Sequence, residues 1–142
     1  MRFRLVIGAL MVCALVLAAE GAPLAGAAPK RLYKGKTVQK RPVRITQRGH
    51  SIKLRHFTAA LRCRNGARLI VGESGFQRTH LKGSRFSDVQ VGNTDEVFFR
   101  GAVRGKVVVG RLRVKDRLRG KHSPRCASKW LKFRAPLRGG GR

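Results

Sequence analysis

The sequence predicts an all-β protein, an antiparallel β-sandwich or small barrel of seven or eight short strands carrying one disulfide. Three observations predict it. Apolar residues recur with period two through most of 35–135, and no stretch sustains a helical period for three turns. Gly35, Gly49, Gly66, Gly75, Gly83, Gly92, Gly105 and Gly120 punctuate the chain every 8 to 17 residues, the spacing that short strands and turns produce. Cys63 and Cys126 form an even pair once an export signal holding Cys13 is set aside, and exported cysteines in even number pair with each other.

The first expected strand is 38–46, with Val43 and Ile45 on one face and Pro42 marking an edge or a bulge, because proline donates no ladder hydrogen bond. The second is 51–63. Its apolar positions run Ile52, Leu54, then Phe57, Ala59, Leu61 and Cys63, so the parity slips at Arg55-His56. A bulge there returns the apolar set to one face. Asn65-Gly66 is a hairpin signal, and 69–76 is its return strand. Strand 85–91 is expected to bury Phe86 and Val89. Strand 96–103 follows, and Phe98 and Phe99 cannot both point inward from it.

In 107–115, Val108, Gly110, Leu112 and Val114 face one way while Arg111, Arg113 and Lys115 face the other, so one face is wet. The last strand, 126–135, sets Leu131, Phe133 and Ala135 inward and Trp130, Lys132 and Arg134 outward. A Cys63–Cys126 bridge ties the second strand to the last.

The domain plan is a signal peptide over 1–27, a basic lead-in over 28–34, one β domain over 35–135 and a Gly-rich flexible tail over 136–142. Arg2 and Arg4 precede an uncharged apolar run over 5–19, which is shorter than the roughly 20 residues of a membrane span. Ala25-Gly26-Ala27 then supplies a small-x-small cleavage site, with Ala19-Glu20-Gly21 as an earlier alternative. The chain is therefore expected to be secreted or extracytoplasmic; an uncleaved anchor is the competing possibility.

Lysine and arginine number 33 against 6 acids, a formal charge of +27. Loss of 1–27 removes Arg2, Arg4 and Glu20 and lowers this only to +26. A near-neutral enzyme is excluded, and the 42% hydrophobic content argues against a disordered basic tail.

The segments "GKTVQKRPV", "LRCRNGARL", "RFSDVQ", "VFFRGAVRGKVVVGRLRV" and "CASKWLKFRA" together resemble a group of small secreted proteins from high-GC Gram-positive bacteria. The resemblance covers most of 35–135. It implies one paired cysteine and a β domain rich in glycine turns, and it carries no catalytic residues to transfer.

Catalytic spacings are absent: there is no HExxH, CxxC or GxSxG, and no Gly-rich phosphate loop opens a helix. No cofactor or metal is expected. One enzymatic alternative is a small basic ribonuclease, with Glu73 and His80 as acid and base beside arginines that stabilise developing charge. A cationic membrane-active protein is another, although no long amphipathic helix offers itself for insertion.

The arginines carry more information. Arg62, Arg64 and Arg68 flank one hairpin turn; Arg100, Arg104, Arg111 and Arg113 occupy the next candidate hairpin; Arg117, Arg119 and Arg125 fill or border the last loop. Arginine outnumbers lysine 22 to 11, which suits bidentate contacts with phosphate or carboxylate. The expectation is a non-enzymatic accessory or binding protein of the cell envelope that contacts anionic polymers, or other extracellular polyanions, through an Arg-rich face. Compositional drift toward Arg codons is the bland alternative.

Overall fold

The computed structural model describes residues 26–92, 95–116 and 125–139. Residues 1–25 of the expected signal peptide (1–27), Arg117, Arg119 and the end of the Gly-rich tail lie outside the described residues. Ten strands form among the described residues: β1 (Lys30–Thr37), β2 (Pro42–Arg48), β3 (Ser51–Cys63), β4 (Arg68–Ser74), β5 (Arg78–His80), β6 (Arg85–Val91), β7 (Asp95–Arg104), β8 (Val107–Asp116), β9 (Cys126–Ala127) and β10 (Leu131–Pro136). No helix occurs among the described residues, so the all-β expectation holds.

Strands pair in the order β10-β1-β2-β3-β9-β8, and β8 pairs again with β10. That last pairing closes a six-stranded barrel. Beyond it β7 and β6 extend the sheet from β8, while β4 and β5 line the other edge of β3. All pairings are antiparallel.

Ten strands exceed the seven or eight expected because β1 adds one, β5 adds one, and the last strand is split. The expected basic lead-in, 28–34, joins the sheet from Lys30 in a strand that pairs with β2 as far as Lys36, and Tyr33 within it is fully buried. The domain therefore starts five residues before Gly35. One apolar ring among Lys and Arg neighbours gives little alternation to read, yet the Tyr33 hydroxyl donates to Gln47 Oε1 at 2.8 Å and anchors the strand. At the other end Leu137 bridges Tyr33, so the tail stays attached two residues past Ala135.

The expected bulge in β3 is present. Arg44 opposes His56 and Ile45 opposes Leu54, leaving Arg55 unmatched. Ile52, Leu54, Phe57, Ala59 and Leu61 all enter the core as a result. The Asn65-Gly66 turn is also formed, with Gly66 at φ 84° donating to the Cys63 carbonyl at 3.0 Å.

Under β7 and β8 the barrel wall has a cross-strand row in which two glycines lie between two phenylalanines: Phe86 opposes Gly101, Gly101 opposes Gly110, and Gly110 opposes Phe133. A methyl group on Gly110 would meet the Arg100 carbonyl and sit 2.7 Å from the Phe133 ring. The glycines thus leave the space that the rings occupy. Phe99 completes the cluster at 4.6 Å from Phe86 and 5.7 Å from Phe133, centroid to centroid.

One core expectation fails. Val89 is 48% exposed rather than buried. On β6 the even positions turn inward: Phe86 enters the core, and Asp88 and Gln90 bind Thr79 and Gln77. Val89 and Val91 are left on the outer side. A polar inner face on a peripheral strand inverts the usual reading of alternation.

Candidate anion-binding face

Outward residues of neighbouring strands meet in register rows. The row nearest the disulfide runs Arg68, Arg62, Ala127, Lys115, Glu96 across β4, β3, β9, β8 and β7. Next, Arg113 opposes Phe98. Then Lys132, Arg111 and Arg100 align across β10, β8 and β7. Strand neighbours lie roughly 5 Å apart, so these cations form a continuous patch. Glu96 is the acid at an outward position on β7, β8 and β10 among the described residues.

Two aromatic rings stand within this patch. Phe99 takes the core position of the Phe98-Phe99 pair and is 2% exposed, so Phe98 points outward. Trp130 arrives by a second bulge. Ala127 opposes Lys115 while Leu131 opposes Leu112, so the chain between them holds one residue more than its partner. Buried Ser128 and Leu131 flank the extra residue, and both Lys129 and Trp130 are turned outward.

The rings meet edge to face at 6.2 Å. Arg100 lies over the Trp130 ring at 4.4 Å and Lys115 over Phe98 at 4.8 Å. Each ring's negative face thus holds a cation in place. Arg113, level with both rings, has its Nε buried without a hydrogen-bond partner among the described residues.

The arginines singled out from sequence divide into three groups. Arg100, Arg111 and Arg113 converge beside the aromatic pair. Arg62, Arg64, Arg68 and Arg125 gather at the disulfide: Arg62 opposes Arg68, and the Arg64 amide donates to the Arg125 carbonyl at 3.1 Å. Arg104 sits apart, exposed at the β7–β8 hairpin end. Arg117 and Arg119 lie outside the described residues. No sequence pattern places Phe98 beside Trp130, although the Phe-Phe dipeptide signals that one ring must leave the core.

The disulfide joins Cys63 to Cys126 with an S–S distance of 2.02 Å, and the two residues oppose each other in register.

Glu73 and His80, the acid and base of the nuclease alternative, do not share a cleft. Glu73 opposes Phe57 and His80 opposes Ser51, six positions apart on β3, or roughly 20 Å of strand. Glu73 instead lines a cleft of about 200 Å³ with Asp95, Gln77 and Gln90. A hydrogen bond with Asp95, partial burial and the Asp95 charge push its carboxyl from the ordinary 4.5 up to about 7. Among the described residues no three His, Cys, Asp or Glu side chains are grouped to hold a metal ion.

Comparison with protein-family models, curated proteins and solved structures finds no match.

Proposed function

We propose that the protein is an exported, non-enzymatic binding protein of the cell envelope that holds anionic polymers on the outer face of β7, β8 and β10. The observation that carries this reading is the convergence of Arg100, Arg111, Arg113, Lys115 and Lys132 around the Phe98–Trp130 pair. Guanidinium forks take phosphate or carboxylate oxygens, and flat rings take the apolar faces of the units that bear them. Compositional drift would spread arginine without regard to the rings. Here a bulge and two cation–ring contacts bring the groups together.

Retention on a heparin or phosphocellulose matrix tests the proposal. Arg100, Arg111 and Lys132 are exposed, so changing all three to Gln is expected to leave the fold intact. That variant is expected to elute at markedly lower salt than one in which exposed Lys34, Arg44 and Arg138 are changed to Gln. Equal elution of the two charge-matched variants would reduce the binding to diffuse net charge. Passage of the unmodified protein through the matrix at low salt would remove the proposal altogether.

A further inference from the structure

A second concentration of charge lies away from the aromatic face, where the start of β1, the β2–β3 hairpin and β5 come together. Lys30 opposes Arg48, and Arg48 opposes Ser51. One row further on, Thr46 opposes Lys53, and Lys53 opposes Arg78. Arg55 follows two positions along β3 from Lys53, at the bulge that leaves it without an opposite residue on β2.

These residues surround a cleft of about 110 Å³, enough for several waters. Among the described residues five cations line it and no acid does. Cross-strand pairs of like charge are unfavourable, and two of them, Lys30 with Arg48 and Lys53 with Arg78, flank this one concavity. A bound anion would relieve both.

The donor set selects among anions. Arg48, Arg55 and Arg78 carry planar forks, Lys30 and Lys53 add point charges, and Thr46 also lines the wall. Ser51 also lines the cleft, but its hydroxyl proton is committed to the Arg48 carbonyl at 3.0 Å, leaving it an acceptor. A carboxylate has two oxygens and one charge and would leave most of these donors unused. A terminal phosphate offers three oxygens and a charge of about −1.5 to −2, so it accepts from more of these donors and offsets more of their positive charge than a carboxylate does.

We propose that this cleft is a binding site for a single phosphate group, separate from the polymer-binding face on β7, β8 and β10. The chemistry is that of a phosphate monoester or of free phosphate, and the site stands whether or not the other face binds polymers.

Backbone NMR titration of the purified protein at about 0.15 M salt tests this, because screening at that strength removes most diffuse attraction. Inorganic phosphate and glycerol 1-phosphate are the two probes, with acetate as the control. Saturable shifts confined to the residues lining the cleft are expected with phosphate and not with acetate. Tighter binding of glycerol 1-phosphate assigns the site to an ester; equal binding assigns it to the free ion.

The double variant Arg48→Gln/Arg78→Gln, both at exposed positions, is expected to weaken phosphate binding about tenfold or more. Arg100→Gln/Arg111→Gln should leave it unchanged. Non-saturating shifts spread over all basic residues, equal response to acetate, or unaltered affinity in the first double variant would each overturn the site.

Discussion

The side-chain amide of Gln39 pairs with the backbone of Ala60 as a neighbouring strand would. The Ala60 amide donates to Gln39 Oε1 at 2.9 Å, and Gln39 Nε2 donates to the Ala60 carbonyl at 3.1 Å. On this edge of β3, pairing with β2 has ended at Phe57 and pairing with β9 begins only at Arg62. Gln39 fills the interval from the tip of the β1–β2 hairpin, where Lys40 adopts φ 60°. Gln90 repeats the device, accepting from the Gln77 amide at 2.7 Å and donating to the Gln77 carbonyl at 3.1 Å. Two gaps in the β framework are closed by glutamine side chains.

Gln39→Ala should therefore lower stability by about 1 to 3 kcal/mol, because it strips both partners from a half-buried peptide group. A shift in the urea midpoint at unchanged slope measures this. An unaltered midpoint would mean that water satisfies Ala60 equally well.

Gly110→Ala should cost about 1 to 3 kcal/mol, since the added methyl collides with backbone and with the Phe133 ring. Gly72→Ala is the control. Its new methyl would lie 3.8 Å from the His56 ring and the Thr58 hydroxyl, an ordinary contact, so the melting temperature should hold or rise slightly.

Reduction of Cys63–Cys126 opens a connection spanning 63 residues, and the loop-entropy relation gives a loss of about 4 kcal/mol. Denaturation midpoints with and without reductant, compared with a Cys63→Ser/Cys126→Ser variant, check the figure. Reductant should have no effect on the variant.

Glu73 holds its proton up to about pH 7 when folded, against 4.5 ordinarily. Between those values the folded state binds more protons than the unfolded one, so the contribution is complete below about pH 4.5 and is lost as pH rises through about 7. Wild-type stability is expected to decline across that window relative to Glu73→Gln, which has no proton to lose. Parallel pH profiles for the two proteins would contradict the raised Glu73 value.

Trp130 is the one tryptophan of the chain and lies under Arg100. Its fluorescence should change on adding heparin and recover on raising salt, and Trp130→Ala should weaken retention beyond any change caused by Arg104→Ala at the hairpin end. Constant emission during binding would place the polymer elsewhere.

Strand class, the β3 bulge, the Asn65-Gly66 turn and the cysteine pair were legible because each is a local signal: side-chain parity, a left-handed glycine, an even count. The same parity already set Arg111, Arg113 and Lys132 on wet positions. β1 was not legible, since Lys30 to Lys36 alternates weakly and is ordered by pairing with β2 and by the Tyr33 contact with Gln47. Val89 misled because β6 turns polar residues inward to meet Gln77 and Thr79.

What the sequence determined by itself was the set of exposed cations and the strands bearing them, through a period that needs only neighbouring residues. Which cations become neighbours was decided by tertiary structure alone. Closure of β8 on β10 aligns Arg111 with Lys132, and one inserted residue before Leu131 turns Trp130 toward Phe98. Register between strands distant in sequence depends on core packing and barrel closure, so no local pattern encodes it. The charge of +27 was visible at once; its division into an aromatic-centred face and a five-cation cleft came only with the fold.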